Sequence, residues 1–368
     1  MKQGDTRLRP APAPGESIVP DSTTAPSQLV ARAVGAPEFV LPFLDRFYEP
    51  AETALVAALV GGPLGVTALR RLVAPAVARG EFRAFLERAF RRSVLDRAPR
   101  ERYAAASFHD RFVVWTFFEG WLDLPDDVRE QLREWEFSSY VEQARPYVEA
   151  VKAGHAIDPI ENHTYLLLDE VEAILLGQEH VYLYPCDCRA IMGRCRKATL
   201  NCLRFEGPHG HWHDLGWEIS PQRAVENARE ANRQGLMHTG GVPGTPMRGI
   251  CTCCSDCCFP QLAGERLDAV KRWPLSRYVA RIEAASCDGC NRCAGRCPFG
   301  AVIRSAGPAK GELVLPVIDA ALCRGCGLCA TGCRSAAITM DVLDMESVRS
   351  GHGFDVGPCD YTVDNEES

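Results

Sequence analysis

The 368-residue sequence predicts an α+β protein built from several domains. Three observations indicate this class. The chain exceeds the usual size of one hydrophobic core, apolar residues recur at helical spacing in its first third, and short apolar runs typical of strands flank cysteine-rich segments in its second half. We predict a flexible tail at 1–27, a helical domain at 28–120, a cysteine-rich α/β domain at 121–275, a second cysteine-bearing domain at 276–345 and an acidic tail at 346–368.

The N-terminal tail is rich in Pro, Ala, Ser and Thr and lacks periodic apolar positions. Such a segment buries too little apolar surface to offset the entropy lost on ordering. Its basic residues are not followed by the apolar stretch of a secretory signal, and the most apolar run of the chain is interrupted by Gly61, Gly62 and Pro63. The sequence therefore predicts a cytoplasmic protein without a membrane span.

The helical domain has apolar residues spaced for three short amphipathic helices, at Glu52–Leu59, Leu64–Val73 and Phe82–Phe90. A strand pair is predicted over Ala104–Trp115, and helices followed by a strand pair resemble a winged helix, a fold of many DNA-binding proteins. Ten arginines against four acidic residues in Arg70–Arg102 make a local basic surface. The chain as a whole has a net charge of −7, so we favour a structural domain with solvated arginines and expect no nucleic-acid partner.

Cysteine is concentrated in one part of the chain. None of the 18 cysteines precedes Cys186, and all but the isolated Cys359 lie before residue 334. A reducing cytosol opens disulfides, and a chain of this size does not need them. Metal ligation is the better explanation.

The sharpest motif is an internal repeat in which two sets of four cysteines share one spacing, 36 residues apart. A CxxCxxC loop turns three sulfurs towards one iron–sulfur cluster. Zinc ribbons also use CxxC pairs, but two matched four-cysteine sets favour iron and sulfide. The sets are Cys287, Cys290, Cys293 and Cys297, and Cys323, Cys326, Cys329 and Cys333.

The segments CDGCNRCAGRCPFGAV and CRGCGLCATGCRSAAI resemble the bacterial-type two-cluster ferredoxins. That resemblance implies a ferredoxin fold over 276–345. Apolar residues alternate or run together, as in strands that flank short helices, at Val279–Glu283, Ala301–Arg304, Leu313–Ile318 and Ile338–Val342. Each fourth cysteine of the family serves the opposite cluster. Arg334 replaces the family's second proline, and Gly311–Pro316 lengthens the connection. The resemblance implies two [4Fe-4S] clusters, one held by Cys287, Cys290, Cys293 and Cys333 and the other by Cys323, Cys326, Cys329 and Cys297.

The middle domain contains nine further cysteines. The segments YPCDCR, RQGLMH and GICTCCSDCC resemble the cysteine-rich domain found beside a two-cluster ferredoxin in proteins from anaerobic bacteria and archaea. Neighbouring cysteines point in different directions, so two centres, or one large centre, are expected. One or two extra [4Fe-4S] clusters are favoured, structural zinc is the runner-up, and free thiols remain as the third reading. The candidate metal ligands are Cys186, Cys188, Cys195, Cys202, Cys251, Cys253, Cys254, Cys257 and Cys258.

Other polar residues near these cysteines carry weaker signals. Three alternate histidines in GPHGHWHD are interpreted as part of a surface loop broken by glycine rather than as a metal site. Arg189 and His238 are candidates for hydrogen bonds to a cluster sulfur. A strand at His180–Tyr184 is predicted to lead into Cys186, and Ser220 with Pro221 predicts a helix start.

The sequence thus predicts an iron–sulfur electron-transfer protein with a redox protein as its partner and no catalytic side chains assigned. One alternative is a reductase whose substrate binds an incompletely ligated iron in the middle domain. Another is a redox-responsive DNA regulator that uses the basic helical domain.

Overall fold

The computed structural model describes residues 26–74, 76–78, 80–155, 164–205, 215–241, 247–304 and 315–344. The predicted tails, Cys359, the three alternate histidines and most of the lengthened connection lie outside these residues. The protein is α+β, as predicted, and forms two compact units. The first takes in the described residues up to 139 with 215 and 216, and the second takes in the remainder.

The first unit joins short helices to a small antiparallel sheet. Strands β1 (Leu64–Gly65), β2 (Leu95–Ala98) and β3 (Arg102–Ala105) form this sheet in the order β1-β3-β2. The helices are α1 (Pro26–Val34), α2 (Leu44–Phe47), α3 (Pro50–Ala58), α4 (Val66–Val73), α5 (Phe82–Arg91) and α6 (Phe108–Phe118), with 3₁₀ helices at Glu38–Phe43 and Trp121–Asp123. The long helix α7 (Asp126–Lys152) continues into the second unit.

The predicted strand pair at Ala104–Trp115 is wrong. The chain is extended only as far as Ala105, whose strand pairs with the preceding Leu95–Ala98, and then becomes helical at Phe108. The Ser107 hydroxyl caps this helix by accepting a hydrogen bond from the Asp110 amide. Aromatic and β-branched residues favour strands, but here burial of the helix outweighs that preference.

The second unit is built on a six-stranded antiparallel sheet with the order β4-β8-β9-β6-β5-β7. Its strands are β4 (Thr164–Leu166), β5 (Val181–Pro185), β6 (Leu200–Arg204), β7 (Trp217–Ile219), β8 (Met237–Gly240) and β9 (Gly249–Cys253). The helices beside it are α8 (Leu168–Leu176), α9 (Asp187–Met192), α10 (Pro221–Arg233) and α11 (Phe259–Arg266). The predicted strand before Cys186 is confirmed, and so is the helix that begins at Pro221 with Ser220 as its cap.

Helices α8 and α10 cover one face of this sheet. Leu166, Leu203 and Ile250 point from three strands into a core that Val171 and Ala224 of the two helices complete. Because side chains alternate along a strand, the residues between them face the other way. Those residues include the strand cysteines.

The C-terminal part of the second unit consists of two strand–helix–strand halves. The first half contains β10 (Tyr278–Ile282), α12 (Arg292–Arg296) and β11 (Val302–Ile303). The second contains β12 (Val317–Ile318), α13 (Leu328–Thr331) and β13 (Ile338–Val342). The outer strands β10 and β13 pair antiparallel, as do the inner strands β11 and β12, so each half supplies one strand to each pair.

Nowhere in the described ranges does a helix reach the length and apolar character that crossing a bilayer would require.

Candidate metal centres

The two cysteine loops of the C-terminal part share one backbone conformation. Gly289 and Asn291 have positive φ angles of 65° and 55°. The residues 36 positions later, Gly325 and Gly327, have φ angles of 67° and 73°. Left-handed residues at alternate positions curl a chain tightly. The repeat seen in the sequence is therefore also a repeat of loop shape.

Four cysteines from both halves line one cavity. Three of them, Cys323, Cys326 and Cys329, come from the second loop, and Cys297 comes from the end of α12 in the first half. The cavity has an empty volume of about 330 Å³, counted to its open mouth, and its remaining walls are largely apolar. Burial raises the pKa of Cys329, and the nearby sulfurs of Cys326, Cys323 and Cys297 raise it further. The raised pKa keeps this thiol protonated until a bound metal ion displaces the proton and stabilises the thiolate.

The other four-cysteine set is more open. Cys293 is buried, and its pKa is raised by burial and by the neighbouring Cys287 and Cys290, whereas Cys290 is exposed. Burial raises the pKa of Cys333, but hydrogen bonds from Ser335 and from the Ala337 amide outweigh it, so the pKa is lowered. The carboxylate of Asp288, in the first loop, also acts on Cys333. This cysteine therefore lies near the loop of the opposite half.

The nine cysteines of the middle region separate into two groups. We call the larger one the six-thiol group: Cys186, Cys188, Cys202, Cys251, Cys253 and Cys258. In it, thiol hydrogen bonds join Cys202 to Cys251, Cys251 to Cys253 and Cys253 to Cys258. The Thr239 hydroxyl lies 3.3 Å from the sulfur of Cys253. Burial is the main cause that raises the pKa of Cys186, to about 12.

The smaller group, the three-thiol group, consists of Cys195, Cys254 and Cys257. The sulfur of Cys195 lies 3.8 Å from that of Cys254 and 3.8 Å from that of Cys257. All three sulfurs lie within 4.8 Å of one another. The neighbours Cys253 and Cys254 thus enter different groups, and so do Cys257 and Cys258. This separation agrees with the opposite directions of adjacent side chains.

Arg189 stands between the two groups. Its side chain is 2% exposed, and its guanidinium donates to the Ala198 carbonyl at 2.6 Å, to Asn201 Oδ1 at 2.9 Å and to the Thr252 carbonyl. Its Nε has no hydrogen-bond partner in the described part of the chain. A hydrogen bond from Cys257 is the largest cause that lowers the pKa of Cys254 to about 5, and Arg189 adds to it. Arg189 thus acts on the pKa of Cys254, while the hydrogen bonds of its guanidinium among the described residues go to oxygen atoms, so its hydrogen bond to a cluster sulfur stays a prediction.

His238 does not lie against the sulfurs. Its strand neighbours Met237 and Thr239 face the cysteine side of the sheet, so its own side chain points to the opposite face, where Glu172 acts on it. The predicted sulfur contact of His238 is wrong because strand alternation reverses its direction.

The six-thiol group and the cavity cysteines share one hydrophobic core. Cys253 and Cys258 are packed with Tyr165 and Leu328, and Cys326 lies against this cluster. The pKa of Tyr165 is raised by burial and then by Cys326 and Cys258. Tyr165 lies between the two sets of thiols, and no motif in the sequence indicates this position. An apolar run before a helix gives no sign of such a position.

Charged contacts fix the C-terminal part against the sheet. The guanidinium of Arg277 pairs with Glu170 at 2.7 Å, and that of Arg296 donates to the Asn232 carbonyl at 2.9 Å. Both arginines are half-buried, so the Arg277–Glu170 pair is screened less than a fully exposed ion pair. These contacts therefore help to hold the cavity in place beside the sheet cysteines.

Comparison of the chain with protein-family models, with curated proteins and with solved structures found no match.

Proposed function

We propose that this protein is an iron–sulfur electron carrier with two [4Fe-4S] clusters in its C-terminal part. One cluster is bound by Cys323, Cys326, Cys329 and Cys297, and the other by Cys287, Cys290, Cys293 and Cys333. The observation that carries the proposal is the cavity lined by the thiols of Cys323, Cys326, Cys329 and Cys297. Those thiols come from both halves of the repeat, as the exchange of fourth cysteines requires.

The residues present fit a cluster. The cavity walls beyond the sulfurs are apolar, including Val302, Ile318 and Met340, and an apolar shell limits solvent access and thereby tunes a cluster's potential. The left-handed residues of the loop give its amides the curled arrangement that favours an anion. A bound cluster would supply one-electron chemistry, while the chain holds it and sets its surroundings.

The six-thiol group is the proposed place for a further iron–sulfur centre. Six neighbouring thiols without a metal would be prone to oxidation and to wrong disulfide pairing. Because Tyr165 and Leu328 lie between this group and Cys326, a centre here would be next to the cavity cluster. Electrons would pass between them through a packed, water-free core.

The test is a count of iron and acid-labile sulfide per chain after anaerobic purification, with Mössbauer spectra. The C-terminal pair alone would give about eight irons, and one further cubane about twelve. Cys329→Ser should lower the count by about four, whereas Cys359→Ser, at the isolated cysteine, should leave it unchanged. Colourless protein, or zinc in place of iron at the paired sets, would overturn the proposal.

A second candidate function is favoured by the first unit. From α3 to β3 its elements follow the order helix, strand, helix, helix, strand, strand, and β2 and β3 form a hairpin in a sheet of the order β1-β3-β2. We infer a winged helix from this order. Exposed arginines lie on α5 and the hairpin, among them Arg83, Arg88 and Arg97. A domain of this kind could bind duplex DNA and respond to the state of the clusters.

DNA binding is testable by fluorescence anisotropy with the full chain and a labelled duplex at two salt concentrations. Binding should weaken steeply with salt, and charge reversal at Arg88 should weaken it further. Charge reversal at Arg32, exposed on α1, is the matched control. No binding at low salt removes this candidate and leaves the electron-carrier proposal intact.

A further inference from the structure

The three-thiol group has a geometry unlike that of a cubane site. Each thiolate of a [4Fe-4S] cluster binds a different iron, so the sulfurs stand well apart around the cube. Four sulfurs around one zinc ion, at Zn–S distances of about 2.3 Å, lie about 3.8 Å apart at the corners of a tetrahedron. The sulfur of Cys195 lies 3.8 Å from the sulfurs of both Cys254 and Cys257. The spacing matches one shared metal ion.

Two parts of the second unit, the segment after α9 and the loop between β9 and α11, bring these sulfurs together. Cys195 follows α9, Cys254 follows β9, and Cys257 lies just before α11. Cys254 and Cys257 are buried and Cys195 is half-buried. The spacing Cys254-x-x-Cys257 is that of a metal-binding knuckle, and Cys195 approaches it from a distant point in the sequence. Spacing along the sequence does not indicate that these three cysteines lie together.

The charge of the surroundings fits a single divalent ion. Three thiolates and one divalent cation together carry a net charge of −1. The guanidinium of Arg189 supplies the opposite charge beside Cys254, and no carboxylate among the described residues forms an ion pair with it. A buried guanidinium without an anion is costly, so this arginine and the anionic site stabilise each other.

We propose that Cys195, Cys254 and Cys257 bind one tetrahedral divalent metal ion, of the zinc class, in a site separate from the iron–sulfur centres. Among the described residues no fourth ligand atom completes the tetrahedron. A water molecule or an anion would take the fourth position, as in zinc sites with three protein ligands. Arg189, near this position, would favour an anionic ligand.

The first measurement uses the unaltered full chain, purified anaerobically, with zinc and iron counted separately. We expect about one zinc per chain, and X-ray absorption at the zinc edge should give three sulfurs at about 2.3 Å with one lighter ligand. Exchange of zinc for Co²⁺ should produce a thiolate-to-cobalt charge-transfer band in the near ultraviolet. These measurements do not depend on how well any variant folds.

The variants separate this site from its neighbours. Cys195→Ser should abolish the zinc and the cobalt band while the iron and sulfide contents stay unchanged. The matched control, Cys202→Ser in the six-thiol group, should keep the zinc and the cobalt band. If Cys195→Ser removes iron and sulfide instead, the three thiols belong to a cluster. If the unaltered chain binds neither zinc nor cobalt, they are free thiols. Either result overturns this inference without touching the C-terminal clusters.

Discussion

Gly325 lies in the second cysteine loop at the point where that loop comes closest to strand β10. Its φ is +67°, and a Cβ built there would lie within 2.2 Å of the carbonyl oxygen of Tyr278. Gly300 provides a matched control, because it has the same φ of +67° and nothing within 4 Å of such a Cβ. The pair Gly325→Ala and Gly300→Ala therefore separates the cost of a left-handed alanine from the cost of the clash.

Both alanines should lower the free energy of unfolding by roughly 1–2 kcal/mol, because alanine is strained in the left-handed conformation. At Gly325 the loop and strand must also separate, because real Cβ atoms essentially never come closer than 3.0 Å. Overpacking of this kind typically costs about 1–3 kcal/mol more. The Ser276 hydroxyl donates to the Arg324 carbonyl at 3.0 Å, so the loop is tied to the chain it would have to leave. We expect a total of about 2–5 kcal/mol for Gly325→Ala.

The assay combines iron and sulfide content with the urea midpoint followed by far-ultraviolet circular dichroism. Gly325→Ala should lose up to about four irons, those of the Cys323 loop, and should unfold at a lower urea concentration than Gly300→Ala. Equal iron contents and equal midpoints for the two variants would refute the close approach of loop and strand.

Three further outcomes are expected. Cys297→Ser and Cys323→Ser should alter the same electron paramagnetic resonance signal of the reduced protein, because both residues line one cavity; different signals would contradict the exchange of fourth cysteines. Leu203→Ala, at a fully buried position, should lower the free energy of unfolding by about 2–5 kcal/mol, while Leu200→Ala, 43% exposed on the same strand, should change it little. Burial lowers the pKa of His238 to about 4, below its usual value of about 6.5. The unfolded chain therefore binds more protons, and the free energy of unfolding should fall by up to about 3 kcal/mol as pH drops from about 6.5 to about 4. His238→Leu should remove this pH dependence, and an unchanged pH dependence would disprove the assignment to His238.

Local sequence signals predicted the second unit better than the first. Ser220 and the proline after it predicted a helix start because a cap acts within one turn, and Ile338–Val342 was predicted to be the strand that the structure contains. The segment Ala104–Trp115 was assigned wrongly because aromatic residues fit either a strand or a buried helix. Only the pairing of Ala105 with Leu95, a contact outside that segment, decides between them.

The grouping of the middle cysteines was only partly accessible from the sequence. Alternation along β9 places Cys251 and Cys253 on one face, and opposite directions for adjacent cysteines follow from the same rule. The partner of Cys254 could not be found in this way, because four strands and a helix separate it from Cys195 along the chain. Tertiary packing, rather than spacing, creates the three-thiol group.

Exposure suggests the order in which the proposed centres would exchange electrons. Cys290, in the first cysteine loop, is exposed, whereas Cys323 and Cys329 of the second loop are buried. Cys326 is packed against the buried core that holds Cys253. Electron transfer to a protein partner requires an accessible cluster, and transfer within the chain requires a close one. The Cys290 cluster would therefore meet the partner, the cavity cluster would relay the electron, and the six-thiol group would receive it.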